Sequence, residues 1–168
     1  YRLTDVVIED RPGPDFIVFE NAFFRGSVPA SEDEDYELFT EPGFVEVSED
    51  GETWVRFPYD EEALAQASGG GAVDKALHRR LGGLAGVTPS FTGNWTVPDD
   101  RDAWDPGGVG GVSGAGGDAF DLADVGLSEV RFVRLIDTDS RNGFEGSAEG
   151  FDLDALVVLH GRPRAVTA

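Results

Sequence analysis

Carboxylates alternate with apolar residues in two stretches of this chain, Gly116-Gly-Asp-Ala-Phe-Asp-Leu-Ala-Asp124 and Gly150-Phe-Asp-Leu-Asp-Ala155. The apolar members read as strand, which sets Asp118, Asp121, Asp124, Asp152 and Asp154 among residues that belong in a core. An unpaired buried charge is costly, and the group either neutralises or finds a partner. A hard cation is one remedy, and calcium takes about six to eight oxygens of this kind. The pattern points to a calcium-stabilised β-domain before it points to any enzyme.

Length and charge narrow the reading. A chain of 168 residues fits one domain, residues 1–168, with a sizeable core. The formal net charge is −20. That argues against nucleic acid, whose phosphates need a basic face, and against an anionic membrane surface. Cations, polyhydroxylated ligands and basic proteins remain as partners. There is no cysteine, so the metals left are those that accept oxygen. No apolar run approaches the roughly 20 residues of a membrane helix. The chain opens on Tyr1-Arg-Leu-Thr4, already strand-like, which predicts a mature or trimmed product.

Along the chain, Val6-Val-Ile8 is a β-branched run closed by the turn Arg11-Pro-Gly-Pro14, and Phe16-Ile-Val-Phe19 reads as a strand buried on both faces. Phe44-Val-Glu-Val-Ser48 alternates, Asp50-Gly51 signals a hairpin turn, and Thr53-Trp-Val-Arg-Phe57 returns, with Trp54 expected in the core. Residues 59–117 break the β pattern. Asp60 is placed to cap a short helix, and Leu77 and Leu81 share a face of another. The rest of this insertion is rich in loop, with Trp95 and Trp104 inside it. Val130-Arg-Phe-Val-Arg-Leu-Ile136 and residues 153–159 read as the last strands. Strands early and late, turn signals and little helix favour an all-β, antiparallel β-sandwich.

Several segments resemble a family of bacterial secreted and cell-surface jelly-roll proteins. They are Gly13-Pro-Asp-Phe-Ile-Val-Phe-Glu-Asn-Ala-Phe23, Phe44-Val-Glu-Val-Ser-Glu-Asp-Gly51 with Trp54, Gly83-Leu-Ala-Gly-Val87, Gly116-Gly-Asp-Ala-Phe-Asp-Leu-Ala-Asp-Val-Gly126 and Gly150-Phe-Asp-Leu-Asp-Ala155. The resemblance implies a galactose-binding-like jelly roll and a place outside the cell or on its surface. Two looser likenesses agree with it. Val45-Glu-Val-Ser-Glu-Asp-Gly-Glu-Thr-Trp54 looks like the hairpin of discoidin-type domains, and Phe151-Asp-Leu-Asp-Ala155 looks like the last strand of family 6 carbohydrate-binding modules. In those modules a glutamate near the first strand and an aspartate near the last hold a structural calcium. The matching positions here are Glu20 and Asp154. Members of the surface family carry a glycine-rich strand before the segment that matches Arg2-Leu-Thr4. Its lack here predicts a sheet edge that is open or filled by another chain.

The candidate calcium ligands are Glu20, Asp118, Asp121, Asp152 and Asp154, with Asp15, Asn21 and Asp124 in reserve. Asp118 and Asp121 suit two ligands from one loop, and Asp152 and Asp154 share a strand face. The competing account has these carboxylates capping turns or pairing with Arg131 and Arg134. Trp95, Trp104 and Phe91 are candidates for stacking on sugar rings, or for pinning a long loop. His78 and His160 read as surface residues rather than catalytic bases. A glycosidase needs two carboxylates at a set separation, and nothing singles out a pair.

The expectation is therefore a non-catalytic, calcium-stabilised β-sandwich with a structural or adhesive role. Its expected partners are other surface-protein subunits or extracellular glycans. A carbohydrate-binding module is the alternative, and a glycoside-processing enzyme stands behind both.

Overall fold

In the computed structural model, residues 1–26, 35–67, 72–89, 116–138 and 151–164 are described. Their strands pair antiparallel throughout, so the all-β expectation holds. The strands are β1 (Val6–Glu9), β2 (Phe16–Phe19), β3 (Phe23–Phe24), β4 (Glu37–Phe39), β5 (Gly43–Ser48), β6 (Val55–Arg56), β7 (Val73–Asp74), β8 (Leu84–Ala85), β9 (Asp118–Phe120), β10 (Glu129–Val130), β11 (Phe132–Asp137), β12 (Ala155–Val158) and β13 (Gly161–Pro163). Helices α1 (Glu61–Ala67) and α2 (Lys75–His78) lie between β6 and β8.

The strands form four small sheets, ordered β10-β1-β13, β12-β2-β9, β3-β4-β7 and β11-β5-β6, with β8 sharing the β6 flank of β5. Strand β5 is buried at every position because its two faces serve two cores. Val45 and Val47 join Phe16, Val18, Phe120, Val130 and Val133 in the larger core. Phe44 faces the smaller one with Leu38, Ala63, Val73, Leu81 and Leu84. Phe16, Phe57 and Phe120 meet in a ring cluster, with centroids 4.9–5.9 Å apart. On the Phe44 face, Glu46 lies opposite Arg56 on one neighbouring strand and Arg134 on the other, and both guanidiniums bind its carboxylate.

Several sequence expectations change. Strand β1 is the middle strand of its sheet, with β10 and β13 on either side. The insertion contributes two strands as well as helices, because Val73 and Leu84 are apolar enough to join the smaller core. The hairpin after β5 is not a tight two-residue turn. Val47 pairs with Val55, and Asp50 organises the longer loop by accepting from the N–H groups of Glu52 and Thr53 at 2.7 and 2.8 Å. Trp54 is half-buried, with the Arg134 guanidinium 4.1 Å from the centre of its ring. The strand expected over 153–159 is β12 and starts at Ala155, which leaves Asp152 and Asp154 before it and exposed, and a further strand, β13, follows it. His78 is buried rather than superficial. Tyr36 and Thr88 place hydroxyls on its two ring nitrogens, at 2.9 and 3.2 Å, and a buried imidazole needs both satisfied.

Candidate functional site

Two ends of strand β2 carry the acidic chemistry. At its start, Asp15 is fully buried. The turn 11–14 delivers it there, with Gly13 at φ 88° between two prolines. Its Oδ1 accepts the Arg11 N–H at 3.0 Å and meets His160 Nδ1 at 3.1 Å, while Oδ2 accepts the Leu122 N–H at 2.8 Å. Its backbone carbonyl takes the N–H of both Leu159 and His160. One residue thus joins the first turn, the 3-10 helix Leu122–Val125 and the turn between β12 and β13. Burial pushes its carboxyl above the usual range, against the pull of those N–H donors and His160.

Asp10 and Asp121 complete this end. Single carboxylate oxygens of Asp10, Asp15 and Asp121 lie within 4.8 Å of one another. Asp121 also caps the 3-10 helix by accepting the Ala123 N–H at 2.9 Å. Asp124 is raised by burial and then by the Asp121 charge. Asp10 and Asp121 thus converge on buried Asp15, and carboxylate oxygens are the kind of donor a hard cation prefers.

At the far end of β2, Glu20 is 1% exposed and Glu41 is 8% exposed. Burial raises Glu20 to about 7. The Glu41 charge adds to the rise, and the N–H groups of Asn21, Ala22 and Asp152 oppose it. The Asp154 N–H bonds the Phe19 carbonyl at 3.0 Å. The segment 152–154 therefore does lie against Glu20, but through its backbone, with both aspartate side chains exposed. Asp15 and Glu20 bracket β2, so at about 3.3 Å per residue their Cα atoms stand about 16 Å apart.

Asp118 belongs to neither end. It is buried on β9 opposite Val18 and accepts the Val87 N–H at 3.0 Å. The sequence-derived ligand set thus separates into three places. Asp121 joins Asp10 and Asp15; Glu20 lies beside the Asp152 and Asp154 backbone; Asp118 anchors a loop. Arg131 and Arg134 pair with Glu129 and Glu46 rather than with these aspartates. The reading of the sequence missed Asp10 and Glu41. Asp10 had a signal, because Asp10 and Asp15 flank the Pro-Gly-Pro turn that folds them together.

Trp95, Trp104 and Phe91 lie outside the described residues. Another aromatic pair is on view. Phe23, 53% exposed, stacks on Phe39 across β3 and β4 with centroids 4.9 Å apart. Exposed Arg25, just past β3, donates its backbone N–H to the carbonyl of Glu37, the exposed first residue of β4, at 2.8 Å. A shallow hollow of about 340 Å3 is lined by Tyr1, Leu135, Asp137, Phe151, Asp152 and Leu153. No helix among the described residues is long and apolar enough to cross a membrane. Comparison with protein-family models, with curated proteins and with solved structures returned no match.

Proposed function

We propose that this is a non-catalytic, jelly-roll-type β-sandwich of the cell surface or extracellular space, with a structural or adhesive role, that takes a calcium ion at its acidic end. The observation that carries the calcium reading is the convergence of Asp10 and Asp121 on buried Asp15 within 4.8 Å. Use of carboxylates as structural anchors supports the non-catalytic role. Asp15, Asp118 and Asp121 hold backbone N–H groups, and Glu46 holds two arginines. The placement outside the cell rests on the sequence resemblance. The test is a thermal melt at fixed ionic strength with calcium and with chelator. A ligand bound only by the native state raises the melting temperature by mass action. Identical melts reject the calcium site.

The stacked pair Phe23 and Phe39 favours a second reading, carbohydrate binding. An exposed aromatic surface beside Arg25 and Glu37 offers a stacking platform with polar neighbours. Glycan-array binding lost in Phe23→Ala supports it. Binding to no glycan removes it.

A further inference from the structure

Acidic residues outnumber basic ones 33 to 13, and a single lysine, Lys75, stands among the bases. Folding leaves much of this charge at the surface. Asp10, Asp50, Glu61, Glu62, Asp152 and Asp154 are exposed. Like charges meet at Asp10, Asp15 and Asp121, and repulsion from a neighbouring carboxylate reaches Asp124 and Glu20. The arginines are already shared. Arg80 serves Asp60 and Glu62, and Arg162 serves Glu9 and Glu129. Asp5, Asp35, Glu37, Glu49 and Glu52 add further exposed charge.

We infer that this protein is built for concentrated monovalent salt, whose cations screen its acidic surface, and that it loosens when that salt is diluted. Neighbouring side chains on a sheet stand roughly 5–8 Å apart. The screening length is about 10 Å at 0.1 M salt and about 3 Å at 1 M, so dilute salt leaves these repulsions in force and molar salt removes most of them. Self-repulsion at large net charge opposes the compact state. The arginine pairs on Glu46 survive in such a medium because Glu46 is buried, and buried pairs are screened far less. Recognition under these conditions rests on short-range contact, because long-range steering is screened out. The cations act collectively, at no single site, so the inference stands apart from the calcium reading.

The experiment is a thermal melt from 0.1 to 4 M potassium chloride with excess chelator, on the whole chain and on the five-site variant Asp5→Asn, Asp35→Asn, Glu37→Gln, Glu49→Gln, Glu52→Gln. The expected melting temperature of the parent chain climbs by roughly 10 °C or more and then levels off as the screening length falls below the charge spacing. The variant starts higher and climbs less. A flat parent profile overturns the inference. So do equal slopes in the two proteins, since the salt would then be acting on apolar burial. If the variant does not fold, the parent's shape decides: a climb that continues to 4 M without levelling overturns it. Because chelator is present throughout, failure here leaves the calcium site untouched, and failure of the calcium melt leaves this slope untouched.

Discussion

The buried carboxylate of Asp118 accepts the backbone N–H of Val87 at 3.0 Å, joining strand β9 to a loop 31 residues earlier. Val87 belongs to the smaller core and Asp118 pairs with a strand of the larger one, so this bond links the two. Asp118→Ala leaves a buried N–H without its acceptor, and the expected loss is about 1–3 kcal/mol. Asp118→Asn, which keeps an acceptor oxygen, loses less. Guanidinium melts of the two variants check the order, and equal losses refute the hydrogen-bond account.

Gly83 sits at φ 81°, and a Cβ added there would fall 1.8 Å from the Pro58 carbonyl oxygen. No rotamer relieves a clash with backbone. Gly83→Ala therefore costs more than about 3 kcal/mol, beyond the usual cost of positive φ alone. Gly126→Ala is the comparison, since its φ is 68° and nothing lies within 4 Å of its Cβ. The gap between their denaturation midpoints measures the steric part, and no gap rules it out.

Glu20 makes stability fall as pH rises. Its folded-state pKa, about 7, exceeds the ordinary 4.5, so the native state holds a proton that the unfolded chain has released. The stability this contributes is full below about pH 4.5 and gone above about pH 7, a change of roughly 3 kcal/mol. Glu20→Gln removes this pH dependence. The variant is more stable than the parent at pH 8 and close to it at pH 4. Melts in chelator across that range decide, and parallel pH profiles contradict the assignment.

Glu46 works in the opposite sense. Burial pushes its carboxyl up, but the hydrogen bonds and charges of Arg56 and Arg134 outweigh burial and leave it below the ordinary value. Its contribution is present above the unfolded pKa and lost as pH falls. Glu46→Gln weakens two cross-strand pairs and is expected to cost about 1–3 kcal/mol at neutral pH. That penalty shrinks in acid. A penalty independent of pH argues against an ionic role.

Asp121→Asn keeps the cap on Ala123 through its remaining oxygen while removing one charge from the cluster with Asp10 and Asp15. The expected result is a melting temperature at or above the parent's in chelator, because one like charge is gone, and a much smaller rise on adding calcium. Full retention of the calcium response places the ion elsewhere.

Local pattern made the strands legible. Phe16-Ile-Val-Phe19 and the alternation at 44–48 are visible because side-chain direction follows directly from strand period. Helix α1 was legible through Asp60, whose Oδ1 does accept the Ala63 N–H at 2.9 Å. The position of His78 was not legible, because its burial depends on Tyr36 and Thr88, residues from separate segments. Trp54 failed for a similar reason: β5 directs Val45 and Val47 to one core and Phe44 to another, and nothing near Trp54 records which side of the hairpin stays uncovered.

The sequence by itself determined that this chain is antiparallel β, strongly acidic, and obliged to bury carboxylates among apolar strands, since composition and strand period are local quantities. Only the tertiary structure decided which carboxylates meet. Asp10, Asp15 and Asp121 converge because β2 and β9 pair in the register that sets Phe16 opposite Phe120, and Asp118, three residues from Asp121, turns instead to Val87. Register is fixed by which apolar faces pack together, and that is a property of the whole fold.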